Sequence, residues 1–131
     1  MGYKWCGSVL FAGGAAMLSS CQLPVNIDIR QLDNGRISIK SNDGTDNPPC
    51  IESIHITQLE EGKAPIDSPI IWWVDSKLGA KECFSEIVYP KVPESYSGEF
   101  VADLQPGRQY LVEVSGISWS ASETIVRQAP R

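Results

Sequence analysis

From Val25 onward the chain is cut into short runs in which apolar and polar residues alternate, and no helical period persists for about twelve residues. "VNIDIRQ" (25–31) alternates Val25, Ile27 and Ile29 with polar neighbours, and "RISIKS" (36–41) repeats the pattern with Ile37 and Ile39. Asp33-Asn34-Gly35 between them is a hairpin-type turn signal, because these residues tolerate the positive φ that a tight reversal needs. "CIESIHITQ", "PIIWWVD", "CFSEIVYP", "GEFVADL", "RQYLVEVSG" and "ASETIVRQ" follow, each bounded by Gly, Pro or Ser. A chain of 131 residues has room for one ordinary domain and a short appendage. Seven to eight short strands over residues 25–131 therefore predict an all-β sandwich, since a strand with one apolar face must bury it against a second sheet.

The first twenty residues have a different character. Lys4 and the amino terminus form a weak positive region, and Cys6 to Leu18 carry no charge. As a helix that run rises about 20 Å, against about 30 Å of bilayer hydrocarbon, which suits a secretory signal better than a permanent span. Gly7, Gly13 and Gly14 argue against the alternative of a buried structural helix. Leu18-Ser19-Ser20-Cys21 resembles a bacterial lipobox. The likeness implies cleavage between Ser20 and Cys21, with residues 1–20 removed, and a covalent lipid on the Cys21 thiol as the sole non-protein group. Two or more acyl chains, at about 0.8 kcal/mol per buried methylene, are enough for stable anchoring. Residue 22 is Gln and not Asp, which by the same resemblance points to the inner leaflet of the outer membrane, facing the periplasm. Residues 21–24 then form a tether of roughly 10–14 Å when extended.

With Cys6 leaving in the signal and Cys21 lipidated, Cys50 and Cys83 remain, and an oxidising compartment favours their disulfide. Chain-entropy reasoning for a loop of this length gives roughly 3.8 kcal/mol. Zinc is disfavoured: two isolated cysteines and a single His55 lack paired ligand spacing. Alternation in "SIHITQ" puts His55 on the face of Ser53 and Thr57, opposite Ile54 and Ile56, as an exposed strand histidine.

"LQPGRQYLVEVSG" (104–116) resembles the tyrosine-corner region of fibronectin type III domains. The likeness implies that Leu104 enters the core, that Pro106-Gly107 makes the turn, and that the Tyr110 hydroxyl bonds back to the backbone near that turn. The expected architecture is thus an immunoglobulin or fibronectin type III-like sandwich.

Adjacent Trp72 and Trp73 point to opposite faces of a strand, so one of them leaves the core. Either the "EEGKAPIDS" loop (60–68) covers it, or it belongs to a contact surface, for which tryptophan is favoured. With Glu60 and Glu61 nearby in sequence, Trp72, Trp73, Glu60 and Glu61 form the candidate partner site. Removal of residues 1–20 leaves ten basic residues against 16 acidic ones, a net charge of −6, and no Lys/Arg cluster for nucleic acid phosphates. The chemistry of a Ser-His-Asp set needs a histidine between nucleophile and acid, and no Gly-x-Ser-x-Gly elbow accompanies His55. No catalytic residue is assigned.

The signal with its lipobox, the segments "ISIK" and "SIHI", Cys83-Phe84 and "LQPGRQYLVEV" together resemble a family of small enterobacterial periplasmic lipoproteins of type VI secretion immunity. Cys50 stands directly before "IESIHI" and not inside the earlier strand, a departure from that pattern. The resemblance implies a non-enzymatic protein that neutralises a secreted toxin. An accessory envelope lipoprotein bound to a resident complex, and a small-ligand or glycan-binding module, are the alternatives.

Overall fold

A computed structural model describes residues 24–77 and 82–129. Ser20 and Cys21, with the expected signal 1–20 and most of the tether 21–24, lie outside the described residues. Among the described residues eight strands run in the order β1 (Asn26–Gln31), β2 (Ile37–Asn42), β3 (Ser53–Gln58), β4 (Ile70–Ser76), β5 (Glu86–Tyr89), β6 (Tyr96–Phe100), β7 (Gln109–Gly116) and β8 (Trp119–Val126). A 3-10 turn, Pro65–Asp67, precedes β4. The strands form two antiparallel sheets, β1-β2-β5 and β6-β4-β3-β7-β8.

The expected hairpin between β1 and β2 forms as its residues dictate. Gly35 has φ +83°, its N–H donates to Leu32 O at 3.0 Å, and Leu32 N–H donates to Arg36 O at 2.8 Å. Alternation then sends one set of side chains from each sheet inward. Ile37, Ile39 and Ile87 from the smaller sheet meet Ile54, Ile56, Trp72, Val74, Val112 and Val114 from the larger one in a single buried cluster. Each such side chain contributes about 1.5–3 kcal/mol through removal from water.

The pairings define two poles. Asn26 pairs with Asn42, and Ser76 with Tyr96, at one pole, where the β7–β8 reversal also lies. At the other pole the β1–β2 turn meets the C-terminal end of β8, because Arg127 Nη2 donates to Gly35 O at 2.6 Å. Along one side, Gln31 ties β1 to β8: its Nε2 donates to Val126 O and its Oε1 accepts from Gln128 N–H. On the opposite side the segment 90–95 travels from the end of β5 at one pole to the start of β6 at the other, with Val92 packed on the core.

One strand is bounded differently from its expected run. "GEFVADL" does not run as one strand: β6 begins earlier, at Tyr96, and ends at Phe100, where Val101 and Ala102 both direct their N–H to Ile71 O. Thr57 keeps the face of His55, as its unbroken pairing with Leu111 on β7 requires, and is buried there at 3% exposure; the register shift beside it falls on β4, which supplies the extra residue Ile71. A bulge bends the strand that carries it, and the consecutive Ile71 and Trp72 of β4 are both buried.

The Cys50–Cys83 disulfide is present, with Cα atoms 5.5 Å apart. Next to it, Ile51 and Phe84 form an isolated bridge joining the start of β3 to the start of β5. A hydrogen-bonded antiparallel pair normally exchanges two N–H to O bonds. Here Ile51 N–H donates directly to Phe84 O at 2.8 Å, while the second bond is relayed by a side chain: Phe84 N–H donates to the Tyr96 hydroxyl, which donates to Ile51 O. Tyr96 is 3% exposed, and burial raises its pKa above the ordinary tyrosine value.

A candidate recognition face on the larger sheet

The strand pairings assemble a row of side chains on the outer face of the larger sheet. Trp73 lies between Glu99 on β6 and His55 on β3, and His55 lies beside Glu113 on β7. Trp72 and Val74 point into the core, so Trp73 takes the opposite face by strand alternation. His55 Nε2 sits 3.5 Å from Asp75 Oδ1. Both side chains are well exposed, at 39% and 49%, so this pair adds at most about 1 kcal/mol. Beyond His55 and Glu113 a shallow depression continues between β3, β7 and β8, lined by Ser53, Ser115, Ser120 and Ser122.

The residues expected to form one partner site separate. Trp72 is fully buried, stacks edge-on to Tyr89 at 5.3 Å, and donates from Nε1 to Pro90 O at 3.2 Å. It is a core residue and leaves the contact set, because the inward parity of position 72 is shared with Val74 and matched by Ile56 across the ladder. Trp73 is half-buried on the outer face. Glu60 and Glu61 lie past the end of β3, in the connection to the 3-10 turn. Glu60 is held by Lys63 at 2.8 Å, and the hydrogen bond from that ammonium lowers its pKa, so much of its charge is already answered. The acidic groups that actually neighbour Trp73 and His55 are Glu99, Asp75 and Glu113. Sequence parity puts each of them on an outer face, but only the ladder order brings three distant segments side by side.

Leu104 is 5% exposed and Tyr110 fully buried. The Tyr110 hydroxyl accepts from Gln105 N–H at 2.7 Å, and Gly107 has φ +82° in the turn after Pro106. Among the described residues no group of three or more His, Cys, Asp or Glu is arranged to hold a metal ion. No family model, curated protein or solved structure matches the chain.

Proposed function

We propose that this chain is a lipid-anchored, periplasm-facing binding protein of the outer membrane, acting without catalysis and neutralising a toxin delivered by type VI secretion. The observation that carries the binding reading is the outer face of the larger sheet, where half-buried Trp73 is flanked by Glu99, His55 and Asp75 on a rigid scaffold. An aromatic anchor ringed by carboxylates suits a basic protein surface, with charge raising the association rate. The disulfide agrees with an oxidising compartment. Anchoring at Cys21 would hold the Asn26 pole near the lipid, with the tether limiting the gap to about 10–14 Å.

The finer fold proposed is an immunoglobulin-like sandwich. Its basis is topological: β1-β2-β5 follow the A-B-E order, and β3-β7-β8 follow C-F-G. β4 and β6 extend the second sheet as C′ and C″ do in variable-type domains, although β6 follows β5 in the chain. The Tyr110 to Gln105 bond is the geometry of a tyrosine corner at the start of strand F.

Two measurements test the function. Deleting the gene should leave cells open to killing by toxin-bearing neighbours, with a toxin gene adjacent, and Trp73→Ala with Glu99→Lys should fail to restore protection. A neutral deletion among unrelated genes would overturn the immunity reading. The hydroxyl-lined depression beside His55 favours the glycan reading as second. Under that reading tryptophan fluorescence shifts with peptidoglycan fragments and Trp73→Ala abolishes the shift.

A further inference from the structure

β1, β5, β6 and β8 are the four strands at sheet edges. An open edge offers unpaired N–H and C=O groups to any passing chain, and native proteins blunt such edges with charge, proline, covering segments or short length. β1 carries exposed Asp28 and Arg30 and is tied to β8 by Gln31. β8 has the same clamp, and Glu123 stands opposite inward-facing Val112. β5 is four residues long and runs into a segment with Pro90 and Pro93. β6 has no lysine, proline or bulge, and four of its five residues are exposed.

The phase of β6 is set by two bonds outside the strand. Val101 N–H donates to Ile71 O at 2.9 Å, and Lys77 N–H donates to Ser95 O at 3.0 Å. Hydrogen-bonded pairs therefore alternate as 71/101, 73/99, 75/97 and 77/95, and residues between them turn their backbone groups the other way. Gly98 and Phe100 thus aim both N–H and C=O away from β4. Gly98 admits no side chain, since a Cβ would lie 2.5 Å from Trp73 O and 2.9 Å from Val92 Cγ2; Val92 covers its inner face, while among the described residues no backbone group pairs with its outward N–H and C=O. At its far end Phe100 is 47% and Val101 55% exposed.

We infer that the free edge of β6 docks an extended segment of a protein partner as an added strand, with a basic side chain beside Glu99 and apolar side chains beside Gly98 and Phe100. Glu99 faces outward with Trp73 while Phe100 lies on the face of Trp72, so the two kinds of side chain must alternate in the partner. A second copy of this chain fits poorly. Antiparallel pairing of two β6 strands turns the Asn26 poles in opposite directions, whereas two tethered copies must both point that pole at one membrane. This step rests on the anchored, protein-binding reading above; the edge itself does not.

The test uses the isotopically labelled full chain in detergent, titrated with an acetylated six-residue peptide alternating valine and lysine, and with a valine–glutamate control. The lysine peptide should slow amide exchange at Gly98 and Phe100 tenfold or more, the control should not, and Glu99→Lys should reverse the preference. Protection confined to Ser122 and Thr124 of β8, unchanged exchange at Gly98 and Phe100, or self-association through β6 without peptide would each overturn the inference. Cells still protected by the Glu99→Lys protein would retain the immunity reading and lose the edge. Peptide docking in a protein whose deletion is neutral would do the reverse.

Discussion

Replacing Tyr96 by Phe removes one oxygen and leaves the ring in place, which isolates the relay between Phe84 N–H and Ile51 O. Ile51 is fully buried, so its carbonyl loses its partner with no water to replace it. Phe84 is 37% exposed, and its N–H recovers part of its hydration. An unsatisfied buried group costs about 1–3 kcal/mol, so the two together cost about 2–4 kcal/mol, the carbonyl supplying the larger part. For a domain of this size that lowers Tm by about 10–20 °C. The assay is urea unfolding of both proteins with the disulfide intact, repeated on Cys50→Ser/Cys83→Ser backgrounds. Because the disulfide and the relay hold the same two chain segments together, the losses should be non-additive by at least about 0.5 kcal/mol. A Tyr96→Phe loss below about 1 kcal/mol, or strict additivity with the cysteine pair, would refute the view that the hydroxyl completes the Ile51–Phe84 bridge.

Other outcomes follow from the same packing. The Cys50→Ser/Cys83→Ser protein should lose about 2–5 kcal/mol, read from the same urea transitions. Gly98→Ala should cost about 1–3 kcal/mol, because the new methyl meets a backbone oxygen that cannot yield cheaply; an unchanged Tm would contradict the close approach of β6 to β4. Burial raises the pKa of Tyr89 and Tyr96 above 10.0, so the folded state prefers both phenols protonated. Their contribution is whole below the unfolded value and is lost as pH climbs past it toward the folded values, because the unfolded chain releases these protons first. Thermal scans between pH 9 and 11.5 should show Tm falling through this range, and less steeply in Tyr96→Phe.

Local pattern sufficed for the strands because alternation is a property of neighbours in the chain. Ile37 with Ile39, Ile54 with Ile56, and Val112 with Val114 declare their inward face wherever the strand is placed, and Gly35 marks its turn for steric reasons alone. The cysteine pair was legible by counting. Boundaries such as Phe100, and the bulge at Ile71, were not, since they depend on hydrogen bonds and register between different strands. The recognition face shows the same division. Residue parity assigns Trp72 and Trp73 to opposite faces without saying which is inside, and proximity in sequence suggested Glu60 and Glu61 as the acidic companions. Ladder order selects Glu99, Asp75 and Glu113 instead, because hydrogen bonding sets strands about 4.8 Å apart regardless of how many residues separate them along the chain. The relay through Tyr96 and the unpaired edge at Gly98 belong wholly to tertiary structure: each exists only where segments remote in sequence are held within hydrogen-bonding or van der Waals reach.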